Sequence, residues 1–544
     1  MGWQWPARLW LACRPGLRYG SNNGAYRCNW HPRAGHFETA DESTFEASDS
    51  LPGDQELSRT DSWNLTKQAR LWLMGALLLA SECAYLALLR LNATNGLRPV
   101  LNFLALLGAL FALYAFAFFL VRGVRETSRA MLLIIAVGAF LFRLTLLPAG
   151  CPYDASFRAL LAGIRADVRG ESVYFERFQL FDDDVWRYLW DGHVWAHHGN
   201  PYAFAPNDPA VDRFADEDNR DLTDSRAIWN DVRGNIPESG VHTIYPPLGQ
   251  GVFRLAHAIA PGSVLVLKSS MVIMDLLATV FLALALAAAG LPVEWLLLYA
   301  WNPLVIKAFA ASGHSDAIAV TAIAALAYFL LKGAKFAAGA SFALAVLAKL
   351  IPIVLFPFVA RRIGWRNSIL ALLMILLGYL PFLDAGRSLF AGASTYARFW
   401  QFNSGPFALA QWIAGGFRPD PSRDARLFML VAVACAIAWL TWRDDGSNDS
   451  FLQNATLSLG AFIVLSPAVM PWYLTLVLPL AILCGQRIWI WFSAIVCLAF
   501  FVMVDQHLPV WTVCLEYGLF TALLLYERYS VSRCANRRNM LALT

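Results

Sequence analysis

The chain has 544 residues, of which 58% are hydrophobic and 15% charged, with a formal net charge of +4. A soluble domain carries about 25% charged residues, so a soluble globular protein is excluded and an all-α polytopic membrane protein is expected, because helices satisfy their own backbone in hydrocarbon. Nine cysteines without any CxxC spacing argue against a zinc site and against a disulfide framework.

Residues 1–64 stand apart. A basic, aromatic stretch is followed by the acidic, Ser- and Thr-rich "FETADESTFEASDSLPGDQELSRTD". This composition is expected to give a disordered cytoplasmic tail; a translation start placed too far upstream accounts for it equally. Apolar runs near the ~20 residues needed for a span then fall at 66–90, 99–122, 128–149, 264–290, 294–311, 315–331, 335–350, 366–383, 424–442, 452–468, 472–484, 488–504 and 509–526. They predict a bundle of about 11–13 transmembrane helices. The chain divides into the tail, a first group of spans at 65–149, a polar loop at 150–262, the remaining spans at 263–527 and a basic cytoplasmic tail at 528–544.

Lys and Arg in short loops set orientation. Placing "RGVRETSR" and the basic C-terminal tail in the cytoplasm puts 150–262 on the extracytoplasmic side. Simple alternation then misplaces "VARRIGWR". A chain break at "AKLIP", with "IPIVLFPFVA" returning as a half-span, restores the rule and leaves Lys349 near the outer face. With that topology six polar islands meet one side: "FDDDVWRYLWDG", "HTIYPPLGQ", "AASGHSD", "AKLIP", "STYARFWQFNSG" and "LSPAVMPWYL".

The acidic motif reads as a helix over 182–198. At 100° per residue, Val185, Trp186, Leu189, Trp190 and Val194 share one half of the wheel, and Asp184, Arg187, Tyr188 and Asp191 share the other. This predicts an amphipathic helix lying in the interface with its tryptophans at headgroup depth. Arg187 is spaced to pair with Asp184 or Asp191. Asp182 is expected to cap the helix. Asp183 and Asp184 are adjacent like charges, which disfavour simultaneous ionisation, and a carboxylate so poised suits a general base acting on a sugar hydroxyl.

Four motifs in order, "DDDVWRYLWDGHVWAHHGNPYAFAPNDP", "TIYPPLGQ", "WNPLVIKAFAASGHSDAIAV" and "VLSPAVMPWYL", resemble the GT-C glycosyltransferase superfamily over roughly residues 130 to 510. The nearest resemblance is to bacterial polyprenol-phosphate-mannose-dependent mannosyltransferases and glycosyltransferase family 87. It implies a GT-C-like bundle with a long extracytoplasmic first loop that is catalytic. It also implies a base, Asp184 with Asp183 as second candidate, that deprotonates an acceptor hydroxyl for inverting attack on a polyprenyl-phosphate hexose, mannose by resemblance. The expected partners are that donor, a glycan or lipid acceptor and the bilayer of a cytoplasmic (inner) membrane, with no nucleic acid. The segment 151–180 departs from the pattern, which brings the aspartates almost directly after the third span.

A lipid phosphate calls for cations or N–H donors near the outer face. Lys349 is the first candidate, with snorkelling as the alternative, and Arg398, Lys307 and His314 follow. Asp316 caps a span or joins the site. Tyr245 shapes the re-entry of the loop or touches substrate. Trp472 and Tyr473 stack on a sugar or belong to an interfacial belt. Glu82 and Asp275 lie within spans and need buried partners. Neither a cofactor nor a metal site is expected, and no nucleotide-binding fingerprint is present. A transporter or flippase is the competing class, but such proteins gather polar groups near the midplane in repeated halves. An inactive or assembly-partner member of the same fold is a third possibility.

Overall fold

The computed structural model describes residues 66–91, 97–122, 128–149, 157–169, 184–216, 225–505 and 508–541. The expected N-terminal tail and Asp182 and Asp183 lie outside them. The first spans are α1 (Lys67–Leu89), α2 (Leu97–Val121) and α3 (Arg129–Leu146). The loop carries α4 (Phe157–Arg169), α5 (Asp184–Ala196), α6 (Asp212–Asp216), α7 (Ser225–Gly234) and α8 (Pro247–Ile259). The bundle resumes with α9 (Val264–Ala288), α10 (Leu297–Ala300), α11 (Pro303–Ile306), α12 (Asp316–Leu331), α13 (Lys335–Ala348), α14 (Phe356–Gly378) and α15 (Ala391–Phe399). It ends with α16 (Gly405–Gly415), α17 (Pro421–Arg443), α18 (Asn448–Val464), α19 (Leu478–Cys484), α20 (Arg487–Ile495), α21 (Val502–Asp505) and α22 (Val510–Leu541). The last helix therefore runs on through most of the expected basic tail.

Among the described residues seven helices are long and apolar enough to cross a membrane, or eight if the bent pair Ile351–Gly378 and Leu380–Phe399 counts as one span. The architecture is all-α and polytopic, as composition implied. The other expected spans are short or broken. Residues 294–311 become a 3-10 turn, two short helices and a π-helical segment, Lys307–Ala311. The break falls where Asn302 accepts from the amides of Leu304 and Val305 and Pro303 starts a new helix, because proline has no N–H to continue the old one. Around 472–484, Pro471 and Pro479 likewise open separate short helices. The expected break after α13 is present: Lys349 is extended (φ −151°, ψ 138°), and a 3-10 segment, Ile351–Leu355, leads into α14, which is interrupted at Gly364 with φ +80°.

Inside the bundle the two acidic residues find partners. Asp275 accepts from Arg143 Nε and, at 2.7 Å, from the Tyr299 hydroxyl. Arg143 Nη1 donates at 2.8 Å to the carbonyls of Ala139 and Ala300. Glu82 is bonded by the Thr145 hydroxyl.

The loop is fastened at both ends. Near its start, the buried Asp167 on α4 accepts from Ser263 Oγ (2.5 Å), Val264 N (3.0 Å) and Leu265 N (3.1 Å), the free amides at the start of α9. A carboxylate is favoured at that positive helix end. The segment that departs from the expected pattern thus holds the loop to the bundle.

One expectation is corrected. Every residue of α5 from Val185 to Val194 is buried, including Trp186 (3% exposed) and Trp190 (2%). Protein covers both faces: α8, α7 and α9 pack around the helix, and Arg233 of α7 lies over the Trp190 ring. The tryptophan face is apolar because it meets the loop's own helices, so α5 does not lie bare in the interface. The two helices approach closely at Gly192, where an added Cβ would stand 2.6 Å from the carbonyl oxygen of Phe253. Gly192→Ala must push two helix backbones apart, and we expect a loss of about 1–3 kcal/mol, read as a lower melting temperature in detergent. Unchanged melting would show that the α5–α8 contact relaxes freely.

Candidate active site

Asp184 begins α5, in the first turn where the helix dipole favours a carboxylate. Its side chain is 32% exposed and looks into a cavity of about 310 Å³. The carboxylate oxygen Oδ2 lies 3.3 Å from His314 Nδ1 and 3.4 Å from the Tyr188 hydroxyl. Burial first, then the charges of Asp184 and Asp316, push the Tyr188 phenol well above its ordinary range. Tyr188 therefore keeps its proton and donates to Asp184, while accepting long bonds from Ser315 N (3.4 Å) and Ser315 Oγ (3.3 Å). The ring stacks on Phe253 and meets Tyr245 edge-on.

His314 is carried to this point by an unusual stretch of backbone. The π-helical segment Lys307–Ala311 ends at Ser312, and Gly313 turns the chain with φ +70° before α12 begins. That conformation favours glycine, and a Cβ there would also stand 2.7 Å from Lys268 Cγ. The His314 ring then stacks on Trp472, with centroids 3.9 Å apart. Asp316, at the start of α12, is buried and pairs with Lys349 Nζ at 2.7 Å. The same ammonium lies 4.2 Å above the Tyr473 ring, and the Tyr473 hydroxyl is 2.7 Å from that of Tyr396.

The other wall is a buried polar network. Arg187 Nε donates to Asp191 Oδ1 at 2.8 Å, and Arg187 Nη1 donates to the Val241 carbonyl at 2.7 Å. Gln250 Nε2 lies within bonding distance of Asp191 Oδ2 (3.0 Å), Thr243 Oγ1 (3.1 Å) and the Tyr245 carbonyl (3.3 Å). The Tyr202 hydroxyl donates to the same carbonyl at 2.6 Å. Residues 241–245, an irregular strand-like stretch that has no helix to bond its backbone, are thus held against α5 by side chains.

The structure brings together Asp184, Arg187, Tyr188, Asp191, Tyr245, His314, Asp316, Lys349 and Trp472. Asp184, Arg187, Tyr245, Lys349 and Trp472 line the cavity directly. Arg187 pairs with Asp191; Asp184 turns instead to Tyr188 and His314. Arg398 is not among the lining residues and is exposed on α15. Its neighbours Tyr396 and Trp400 face the cavity instead. Lys307 is buried in the bundle over the Phe500 ring. Asp183 lies outside the described residues. Sequence reasoning did not single out Tyr396, Trp400, His242 or Gln250. The first two sit in the island "STYARFWQFNSG", where charge drew the choice to Arg398. The last two bracket "HTIYPPLGQ".

Residues 178–364 match the family model described as Alpha-(1->6)-mannopyranosyltransferase, N-terminal domain. The match opens just before the acidic motif and closes at the Gly364 break. No curated protein and no solved structure matches the chain.

Proposed function

We propose that the chain, whose residues 178–364 match the mannopyranosyltransferase family model, is a membrane glycosyltransferase that moves a mannosyl group from a polyprenyl-phosphate donor to a hydroxyl of a glycan or lipid acceptor, with inversion, at the extracytoplasmic face of the cytoplasmic membrane. One observation carries the reading: the partly exposed carboxylate of Asp184, at the start of α5, meets a cavity lined by Arg187, Lys349 and aromatic rings, with the exposed Glu238 as its other acidic residue.

Asp184 takes the proton of the acceptor hydroxyl as the oxygen attacks the anomeric carbon. Tyr188 bonds the carboxylate from one side, with His314 Nδ1 3.3 Å away, leaving its exposed side for the acceptor. The bond from anomeric carbon to phosphate oxygen breaks, and the leaving lipid phosphate needs positive charge. Lys349 and Arg187 supply it from the cavity wall. Each is paired with an aspartate, so the cations stay in place before the donor arrives. Trp472, Trp400 and Tyr396 offer faces for sugar rings.

The test uses purified protein in nanodiscs with polyprenyl-phosphate-[14C]mannose or GDP-[14C]mannose and a panel of glycan and lipid acceptors. We expect transfer from the lipid-linked donor alone, with an anomeric configuration in the product opposite to that of the donor. Transfer from GDP-mannose, or retained configuration, would overturn the proposed donor or the single-displacement course respectively.

A further inference from the structure

Away from the cavity, three histidines converge. His193 lies on the last turn of α5, His197 follows four residues later in the turn just past the helix end, and His257 approaches from α8. Ring centroids lie 4.5 Å (His193–His197), 5.2 Å (His193–His257) and 5.8 Å (His197–His257) apart. One ring nitrogen from each falls within 4.8 Å of the other two. None of the three lines the cavity around Asp184.

The chemistry of the individual rings narrows what this cluster is for. His193 is fully buried, and its ring stacks on Trp229 with centroids 3.6 Å apart. Its Nε2 lies 2.7 Å from the carbonyl oxygen of Phe214. A carbonyl only accepts, so Nε2 carries the proton and Nδ1 presents a lone pair. That Nδ1 is buried and has no hydrogen-bond partner among the described residues. The Nδ1 of His257, a residue 7% exposed, is in the same condition. A buried acceptor left unsatisfied is costly, and packing against Trp229 explains the ring of His193 but not its empty nitrogen. An imidazole whose far N–H is tied to a backbone carbonyl is the arrangement that fixes a metal ligand's tautomer and aim.

We propose that His193, His197 and His257 form a binding site for one divalent transition-metal ion, with a water in the remaining position. Imidazole ligands select zinc, cobalt, nickel or copper over magnesium or calcium. Nitrogens around a tetrahedral ion sit about 3.4 Å apart for bonds of about 2.0–2.1 Å, so the rings must draw together on binding. His197, only partly buried, has room to make most of that movement. The ion ties α5 to α8 at the opposite end of α5 from Asp184. It braces the helix that positions the carboxylate and takes no part at the cavity.

The experiment uses the full chain carrying an affinity tag without histidine, purified in detergent, stripped with chelator, reloaded with Zn²⁺ or Co²⁺ and desalted. Metal content is read by mass spectrometry, Co²⁺ coordination by visible absorption, and folding by melting temperature. We expect about one ion per chain, an intense Co²⁺ band of tetrahedral type, and a melting temperature raised by metal. His197→Ala and His257→Gln each reduce the retained metal about tenfold or more and abolish the metal-dependent rise, while His198→Ala, at the exposed neighbour, changes neither. Wild type that retains no more metal than His197→Ala overturns the site. So does retention that falls equally in His198→Ala, which marks adventitious surface binding. Should His257→Gln fail to fold, His197→Ala and the wild-type stoichiometry decide the matter alone.

Discussion

Asp184→Asn is expected to lower the turnover of mannosyl transfer by about 10²–10⁴-fold while leaving the apparent affinity for donor nearly unchanged. The amide is close to the carboxylate in shape, and its oxygen still accepts from Tyr188, which reaches Oδ2 at 3.4 Å. What it loses is the ability to take a proton. Initial rates with labelled donor over a range of concentrations separate the two effects. A variant that keeps more than about a tenth of the wild-type turnover would fall short of a base's contribution and send the assignment to Asp183. A loss confined to donor affinity would instead make Asp184 a binding group.

The second large effect lies in the bundle. Asp275→Ala leaves Arg143, which is 0% exposed, without its carboxylate in the interior of a membrane protein. Removing one partner of such a pair costs about 3–5 kcal/mol, so the variant is expected to melt far below wild type in detergent or to be lost on solubilisation. The double variant Arg143→Met with Asp275→Leu is expected to recover most of that loss, because replacing both charges removes the uncompensated ion. Equal destabilisation in single and double variants would show that shape around Tyr299 and the Ala300 carbonyl matters more than charge. The melting temperatures of the two variants, side by side, decide it.

The sequence made the long spans legible because each is a run of apolar residues longer than the bilayer is thick, and hydropathy needs no partner to be read. It also made the Arg187–Asp191 pair legible, since a spacing of four puts both on one helix face. The break at Lys349 was visible as a basic loop on the wrong side. Other features depend on contacts between distant segments. Arg143 and Asp275 are 132 residues apart, and nothing local joins them. The tryptophans of α5 gave an amphipathic pattern, but hydropathy does not distinguish a lipid neighbour from an apolar helix such as α8. In "STYARFWQ", moving one residue along a helix turns the side chain by about 100°. The island was therefore found, while the residues within it that face the cavity, Tyr396 and Trp400, were passed over for Arg398.

Asp167 gives the segment between α4 and α9 a topology of its own. Its carboxylate bonds Val264 across 97 positions of sequence, so the chain between them leaves and returns at one point. Everything from the end of α4 to the start of α9, Asp184 included, lies on a ring closed at this clasp, and within it α5 also packs against α9. The entropy of closing a ring rises only with the logarithm of its length, by about 0.6 kcal/mol per doubling. The circumference can therefore lengthen or shorten among relatives at little cost to how the ring is seated, so long as the clasp and the helices that face the cavity are kept. Under the proposed function, acceptor choice would then change through the ring while the rest of the bundle stays constant.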